Sequence, residues 1–291
     1  MTKRTRWDRL QSQYRLIRDC LDGEDAVKDQ GTLYVPKPDG LTATEYSSYV
    51  ARGLFYGAPE MTLRALVGLA LRKDPVIALP SRLEPMRLNA THESAPLSIL
   101  IEDCVREVLS MGRFGMLLDF PPTGATVNSV PHISTFTAES IEEVETTYMD
   151  GRRVLSRVVL ASDEDGEIRY ELVLEDTIYK FRRFIFDQHK RRVYEGEDII
   201  PTVNGRALNF IPFVMVSPVG LRFDDVTPPF LALCKVALSH FVNSCDRERA
   251  IFLTASPTPW ISGNVSADKV PTSIGSGALW NLPEGCQAVS Y

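Results

Sequence analysis

FLALCKVALSHFVNSCDRERAIFLTA, residues 230–255, decides the architecture because it predicts a single helix of unusual length. Prolines at positions 228 and 229 suit its first turn, where a backbone N–H has no intrahelical partner. About 24 helical residues extend roughly 36 Å, which is about twice the average for a globular protein.

Polar residues recur along this helix at steps of four, at Lys235, Ser239, Asn243 and Arg247, and form a narrow stripe. Most of the remaining surface is apolar. A helix with so wide an apolar surface either packs against other copies in an oligomer or lies buried within its own chain. The pattern leaves both possibilities open.

Upstream, the first 72 residues are predicted to be helical. Five apolar residues share one face of a first helix, which ends at Asp22-Gly23. Thr42 and Glu45 have the spacing of a capping box at the start of another helix. Pro59 can begin a third one. The five residues of the first face are Trp7, Leu10, Tyr14, Ile17 and Leu21.

The middle of the chain predicts an α/β and β-meander core over residues 96–217. A helix over about 96–111 carries an apolar stripe, ends at Gly112 and leads into the buried strand FGMLLDF. Beyond residue 133 the apolar residues alternate, and turns are expected at Asp150-Gly151 and Asn204-Gly205. The fold class is therefore α+β, with helices and an antiparallel β-rich region.

Composition excludes several classes of protein. The 291 residues carry a formal charge of −6, whereas a protein that grips nucleic acid over its whole surface is basic. The basic N-terminus has no apolar segment behind it, so we expect no signal peptide, and without a long apolar run we expect no membrane span. The five cysteines lack metal-site spacing and are expected to be reduced thiols packed in a cytosolic protein.

No constellation of catalytic residues is visible, so we expect no enzyme, no cofactor and no metal. Asp163 and Asp165 resemble the centre of a calcium loop, but the positions that supply its first and last ligands are apolar. The four histidines show no ligand spacing. One enzyme hypothesis stays open and requires that Asp119, His132 and Asp246 converge on a pocket.

A basic run over residues 180–192 has two interpretations. Its cations alternate with phenylalanines, as on a surface that binds nucleic acid, or they line the solvated face of a strand. The cations are Lys180, Arg182, Arg183, Lys190, Arg191 and Arg192.

Several short phrases, in order across nearly the whole chain, resemble the phage portal proteins of the DUF4055 type. They are Gly31-x-x-Tyr34-Val35-Pro36, Tyr49-x-x-Arg52-x-x-Phe55-Tyr56, Gly68 with Arg72-Lys73 and Pro75, Gly112-Arg113-x-Gly115 with LLDFP at 117–121, IPFV at 211–214, Pro228-Pro229, Ser239-His240 with Ser244-x-Asp246, Pro257, and IGSG at 274–277.

The resemblance implies a wing over residues 1–226, a stem helix over 227–253 and the start of a clip over 254–291. The portal's second stem helix, tunnel loop and crown would then be absent from this sequence. The polar stripe of the stem would face the channel or a neighbouring subunit. Trp260 and Trp280 would pack and make contacts in the clip, and Gly275-x-Gly277 would be a turn, since no third glycine or helix follows it as in a dinucleotide site.

The resemblance also implies partners and a location. Portal subunits form a ring, usually of twelve copies, at one vertex of the virion capsid, after assembly in the host cytoplasm. Double-stranded DNA passes through without sequence-specific contacts during packaging and ejection. The terminase large subunit, head–tail adaptors and the major capsid or scaffold protein dock on the ring. The alternative is a non-catalytic, β-rich protein-binding module that is a compact monomer.

Overall fold

The computed structural model describes most of the chain, in several segments. The described residues are 3–119, 131–162, 168–189, 191–203, 205–221, 223, 226–255, 259–263, 266, 284–285 and 287–290. Outside these residues lie the turn expected at Asp163 and Asp165, as well as Lys190, Asn204, Gly275, Gly277, Trp280 and Cys286.

Helices and antiparallel strands make up an α+β fold, as the sequence predicts. The helices are α1 (Lys3–Asp22), α2 (Glu24–Asp29), α3 (Ala43–Arg52), α4 (Ala58–Ala70), α5 (Leu97–Ser110) and α6 (Leu231–Thr254). The strands are β1 (Phe114–Asp119), β2 (His132–Phe136), β3 (Ile141–Met149), β4 (Arg152–Ala161), β5 (Ile168–Glu175), β6 (Ile178–Phe186), β7 (Arg192–Ile199), β8 (Thr202–Val203), β9 (Arg206–Ala207), β10 (Phe213–Val216), β11 (Pro259–Ser262) and β12 (Gln287–Ser290).

The chain divides into two compact units. The first contains Met1–Asp22 and Gly57–Lys235, and the second contains Gly23–Tyr56 and Val236–Tyr291. Helix α6 contributes its first turn to the first unit and its later turns to the second. The wing, stem and clip boundaries follow a different division and stay predictions.

Strands β3 to β7 form one antiparallel meander in the first unit, with strand order equal to chain order. The predicted hairpin is confirmed, since β3 and β4 pair across Asp150 and Gly151, both of which have positive φ. A two-residue turn in which both residues have positive φ has a backbone twist that matches the twist of the two strands it connects.

A second, three-stranded antiparallel sheet has the order β10-β1-β2 and follows α5 directly. A side chain at Gly115 of β1 would collide with the ring of Phe213 on β10. The two strands therefore lie closer together than any residue other than glycine at position 115 would allow. Phe213 belongs to a buried apolar cluster that joins both sheets. Its other buried members are Leu117, Ile141, Leu155, Val158, Leu160, Leu172, Tyr179, Ile211 and Met215.

Arg18 ties three separate segments of the first unit together. Its guanidinium donates to both carboxylate oxygens of Glu107 on α5, at 2.6 and 2.7 Å, and to both of Glu139, at 2.6 and 3.0 Å. Burial alone would raise the pKa of Glu139, but the hydrogen bonds and positive charge of Arg18 outweigh it and lower that pKa. Arg18 therefore offsets the cost of burying two carboxylates.

Replacing Arg18 by Met is expected to lower the free energy of unfolding by about 3 kcal/mol at neutral pH, because two carboxylates lose their common partner. The contribution of Glu139 is complete above the unfolded glutamate pKa of about 4.3 and is lost as the pH falls through the lower pKa of Glu139 in the folded chain. The difference between the two proteins should therefore shrink in acid. Urea unfolding at several pH values measures it.

Arg15→Met is the matched control on the same helix, because the Arg15 side chain is 61% exposed and its ion pair with Asp19 lies at the surface of α1. Its cost should stay below about 1 kcal/mol at every pH. A loss for Arg18→Met that is equally small, or that is the same at acid and neutral pH, would contradict the role given to Arg18.

Candidate subunit interface

Helix α6 has one covered face and one exposed face. Residues at helical spacing on one side are buried, namely Leu231, Cys234, Leu238, Phe241 and Cys245. The predicted long helix is confirmed, with 24 residues. The interpretation of a helix buried within its own chain is confirmed for this side, and packing against other copies stays a prediction for the side that the described residues leave exposed.

In the second unit, the segment after α3 covers α6 through an unusually close backbone contact. A Cβ atom at Gly53 would collide with Sγ of Cys245 and would lie 3.0 Å from Cε2 of Phe241. The ring of Phe55 meets that of Phe241 edge to face, with centroids 6.0 Å apart. Phe241 has no exposed surface.

Polar groups fix the same contact in register. Tyr49 on α3 donates its hydroxyl to Oδ1 of Asp246 at 2.7 Å, and the backbone N–H of Leu54 donates to Oγ of Ser244 at 3.0 Å. Burial and the hydrogen bond to Asp246 both raise the pKa of Tyr49. The guanidinium of Arg52 stacks 3.7 Å from the ring centre of Phe252. The covered face is thus held by directional contacts as well as by apolar burial.

The opposite face of α6 carries the predicted stripe, and Lys235, Ser239, Asn243 and Arg247 are all exposed. Val236 lies beside Lys235 with 68% of its surface exposed. The last turns of the helix also expose two apolar residues at the edges of this face, Ile251 and Leu253, whereas Phe252 lies on the covered side under Arg52. This exposed face of α6, from Lys235 to Leu253, is the candidate subunit interface.

The predicted clip contact at Trp260 lies in a two-stranded sheet. Strand β11 pairs with β12 in antiparallel fashion, and Trp260 stands opposite Val289 in the register. Trp280 lies outside the described residues. The proposed packing of the two tryptophans stays a prediction.

Two of the three residues named in the enzyme hypothesis lie next to each other. Asp119 and His132 are partners in the β1–β2 register, with Oδ2 and Nε2 3.7 Å apart. His92 is close as well, with its ring centroid 5.5 Å from that of His132, which the sequence spacing did not indicate. Asp246 belongs to the other unit, where Tyr49 holds it.

Among the described residues, no three His, Cys, Asp or Glu side chains are placed to hold a metal ion. A cleft of about 300 Å³ in the first unit is lined mainly by charged residues and includes none of Asp119, His132 and Asp246. Its lining residues are Arg18, Leu21, Asp22, Glu60, Leu63, Arg106 and Ser110.

The basic run on β6 and β7 is paired with acids of the same sheet. Arg182 donates to both Glu175 and Asp198, at 2.7 to 2.9 Å, and Arg192 donates to Glu143 at 2.9 Å and to Glu171 at 3.2 Å. Because these cations are neutralised locally, the contacts favour the solvated-strand interpretation over a nucleic-acid face.

Comparison with known proteins adds one partial family match. Residues 229–291, which include α6, β11 and β12, match the family model described as a domain of unknown function, DUF4055. No curated protein is significantly similar to the chain.

Among solved structures, the chain is similar to one described as the neck of an empty GTA particle computed with C6 symmetry. The sequences are 13% identical and the TM-score is 0.40. The similarity covers 88% of this chain and 64% of that one, so this chain spans less than two thirds of its length. At this TM-score the likeness fixes neither fold nor function. Among the described helices, none combines the length and apolar character needed to cross a membrane.

Gly53→Ala is expected to lower the free energy of unfolding by about 1–3 kcal/mol, the usual cost of overpacking. The backbone at Gly53 has φ −62° and ψ 147°, which alanine adopts without strain, so the cost comes only from the collision with α6. Urea unfolding measures the loss, and Cys245→Ala in the same chain should recover part of it.

Gly68→Ala serves as the matched glycine control, because it lies within α4 and a Cβ there meets nothing within 4 Å. It should stabilise the chain by about 0.5–1 kcal/mol. If Gly53→Ala also left stability unchanged or raised it, the close approach of Gly53 to α6 would be refuted.

Tyr49→Phe should cost about 1 kcal/mol, because it removes only the hydrogen bond to Asp246. The raised pKa of Tyr49 adds stability that is complete below about pH 10 and is lost as the pH rises further. The variant should therefore lose less stability in alkali than the wild type does, as measured by urea unfolding.

Tyr148, which is 78% exposed, provides the comparison. Tyr148→Phe should leave the free energy of unfolding unchanged at neutral and at alkaline pH. Equal behaviour of the two variants would show that the Tyr49–Asp246 bond does not hold α6.

Proposed function

We propose that this chain is a structural subunit of the head–tail connector of a tailed phage, and specifically a portal protein. The observation that carries the proposal is the division of α6 into two faces. One face is held by α3 and the segment 53–56, and the other presents polar and apolar residues to solvent. A ring subunit needs such a helix, because it must fold by itself and still contact its neighbours.

The sequence supports the same proposal independently of the geometry. The family match over residues 229–291 covers the predicted stem helix and the start of the clip. The portal-like phrases extend the resemblance upstream, from Gly31 to the IPFV segment at 211–214. Two of these phrases meet in the structure, since Tyr49 of one bonds Asp246 of another and Phe55 packs on Phe241 beside it.

In the proposed role the subunits form a ring, of twelve copies when complete, at one vertex of the virion capsid. Double-stranded DNA slides through without sequence-specific contacts, which suits an acidic chain because tight phosphate binding would hinder passage. The terminase large subunit, head–tail adaptors and the major capsid or scaffold protein dock on the ring. Assembly takes place in the host cytoplasm, and the subunit itself is not an enzyme.

The test is the assembly state of the complete gene product that contains this chain, measured by native mass spectrometry and negative-stain imaging. The wild type should form rings. Val236→Glu places a charge in the exposed face of α6 and should abolish rings while leaving the unfolding midpoint unchanged, because Val236 is already 68% exposed.

Val76→Glu is the matched control at a fully exposed valine outside α6, and it should assemble like the wild type. A wild type that stays monomeric at all concentrations would refute the ring. Rings that tolerate Val236→Glu would refute the exposed face of α6 as the contact.

The alternative is a monomeric protein-binding module, and the covered face of α6 favours it. A charged substitution at Phe241 does not distinguish the ring from the monomer, because Phe241 is completely buried within its own unit and a charge there should unfold the chain in either case. Val236 does separate them, since the monomer has no assembly to lose.

A further inference from the structure

Two buried cysteines of the first unit lie against each other. Cys20 is near the end of α1, Cys234 is in the first turn of α6, and neither has any exposed surface. Sγ of Cys20 lies 3.9 Å from the backbone oxygen of Cys234. Both are free thiols in this structure. The other described thiols have different surroundings, since Cys104 is only partly buried and Cys245 faces Gly53.

The contact is unusual because it joins residues that are 214 positions apart and brings one thiol to the very residue that carries the other. A hydrogen bond from the Cys20 thiol lowers the pKa of Cys234 against the opposing effect of burial. The same hydrogen bond, together with burial, raises the pKa of Cys20. The Cys234 thiol therefore loses its proton more readily than the Cys20 thiol does.

We propose that Cys20 and Cys234 form a redox-sensitive disulfide that links the end of α1 to the first turn of α6. The Cys20 thiol already contacts Cys234, and the proposed bond requires that rotation of the two side chains bring the sulfurs to the roughly 2.05 Å of a disulfide. The inference does not depend on the proposed function.

The oxidant is a small-molecule disulfide such as oxidised glutathione. The Cys234 thiolate attacks one of its sulfurs, breaks the S–S bond and releases one glutathione thiolate. Cys20 then loses its proton and attacks the mixed disulfide at the Cys234 sulfur, which releases a second glutathione. Two protein thiols are oxidised, one glutathione disulfide is reduced to two thiols, and the two protons end on the glutathione sulfurs.

The disulfide would link two residues that are 214 positions apart in the sequence. A bond between residues so far apart restricts the unfolded chain strongly and therefore raises stability. Because both thiols are completely buried, the oxidant reaches them only when α1 or the start of α6 opens locally. The bond should accordingly form slowly in the folded protein, and faster at low urea concentrations that permit local opening.

The experiment is peptide mapping by mass spectrometry without reduction, after incubation with oxidised glutathione in buffer and in concentrated urea until the yield of linked peptide is constant. The folded chain should give a Cys20–Cys234 linked peptide at least about tenfold more abundant than the unfolded chain does, because folding raises the effective concentration of the pair. Its urea midpoint should rise on oxidation and return to the starting value after treatment with a reductant.

Cys20→Ser and Cys234→Ser should each abolish the linked peptide and the reversible rise, whereas Cys104→Ser should retain both. The wild-type map decides the outcome even where a variant fails to fold. Absence of the linked peptide from the folded protein, or a yield no higher than in urea, overturns the proposal. A linked peptide without any change in the urea midpoint overturns the stabilising role.

Discussion

The close approach of Gly53 to α6 is the constraint on which the arrangement of the second unit depends. At this point the backbone of one segment lies directly on Cys245 and Phe241, with no room for a side chain between them. Dense packing of this kind fixes the rotation of a helix about its own axis, because any other rotation would place a larger residue against the backbone. Once Cys245 and Phe241 face inward, Lys235, Val236 and Asn243 must face outward. The character of the exposed face thus follows from a glycine that is not part of it.

Charge compensation plays the corresponding role in the first unit. The side chain of Glu171, only 4% exposed, contacts Arg157 at 2.6 Å and Arg192 at 3.2 Å and accepts a hydrogen bond from Tyr194 at 3.0 Å. Arg18 does the same for Glu107 and Glu139. In both places a carboxylate that is costly to bury comes with enough donors to offset that cost. The arginines of β6 and β7 therefore compensate carboxylates within the sheet, and their number alone does not indicate affinity for DNA.

Local features of the sequence predicted the elements well, for a physical reason. The length of α6, the capping box at Thr42, the end of α1 at Gly23 and the hairpin at Asp150-Gly151 all depend on residues a few positions apart. Helical periodicity and turn chemistry act over that range. The predicted stripe on α6 is exposed for a related reason, since steps of four keep these polar residues on one side of the helix and burying that side would be costly.

Contacts between distant residues could not be predicted in this way. Val236 and Phe241 are both apolar, and only the position of α3 and the segment after it, about 190 residues upstream, decides that one is exposed and the other buried. The pairing of Arg18 with Glu107 and Glu139, and the approach of His92 to His132, likewise depend on tertiary structure. Periodicity gives the angle between two residues on a helix but does not say which side a neighbour covers.

Helix α6 therefore has to satisfy two demands with one sequence. Its covered face uses small or flat side chains, such as Cys234, Cys245 and Phe241, which permit close contact with other segments of the chain. Its exposed face mixes charge with aliphatic side chains, and Ile251 and Leu253 extend that mixture to its end. Exposed apolar residues at the end of this helix keep unfavourable contact with water in a monomer. A subunit that buried them against a neighbour would recover that free energy on assembly, as the proposed ring requires.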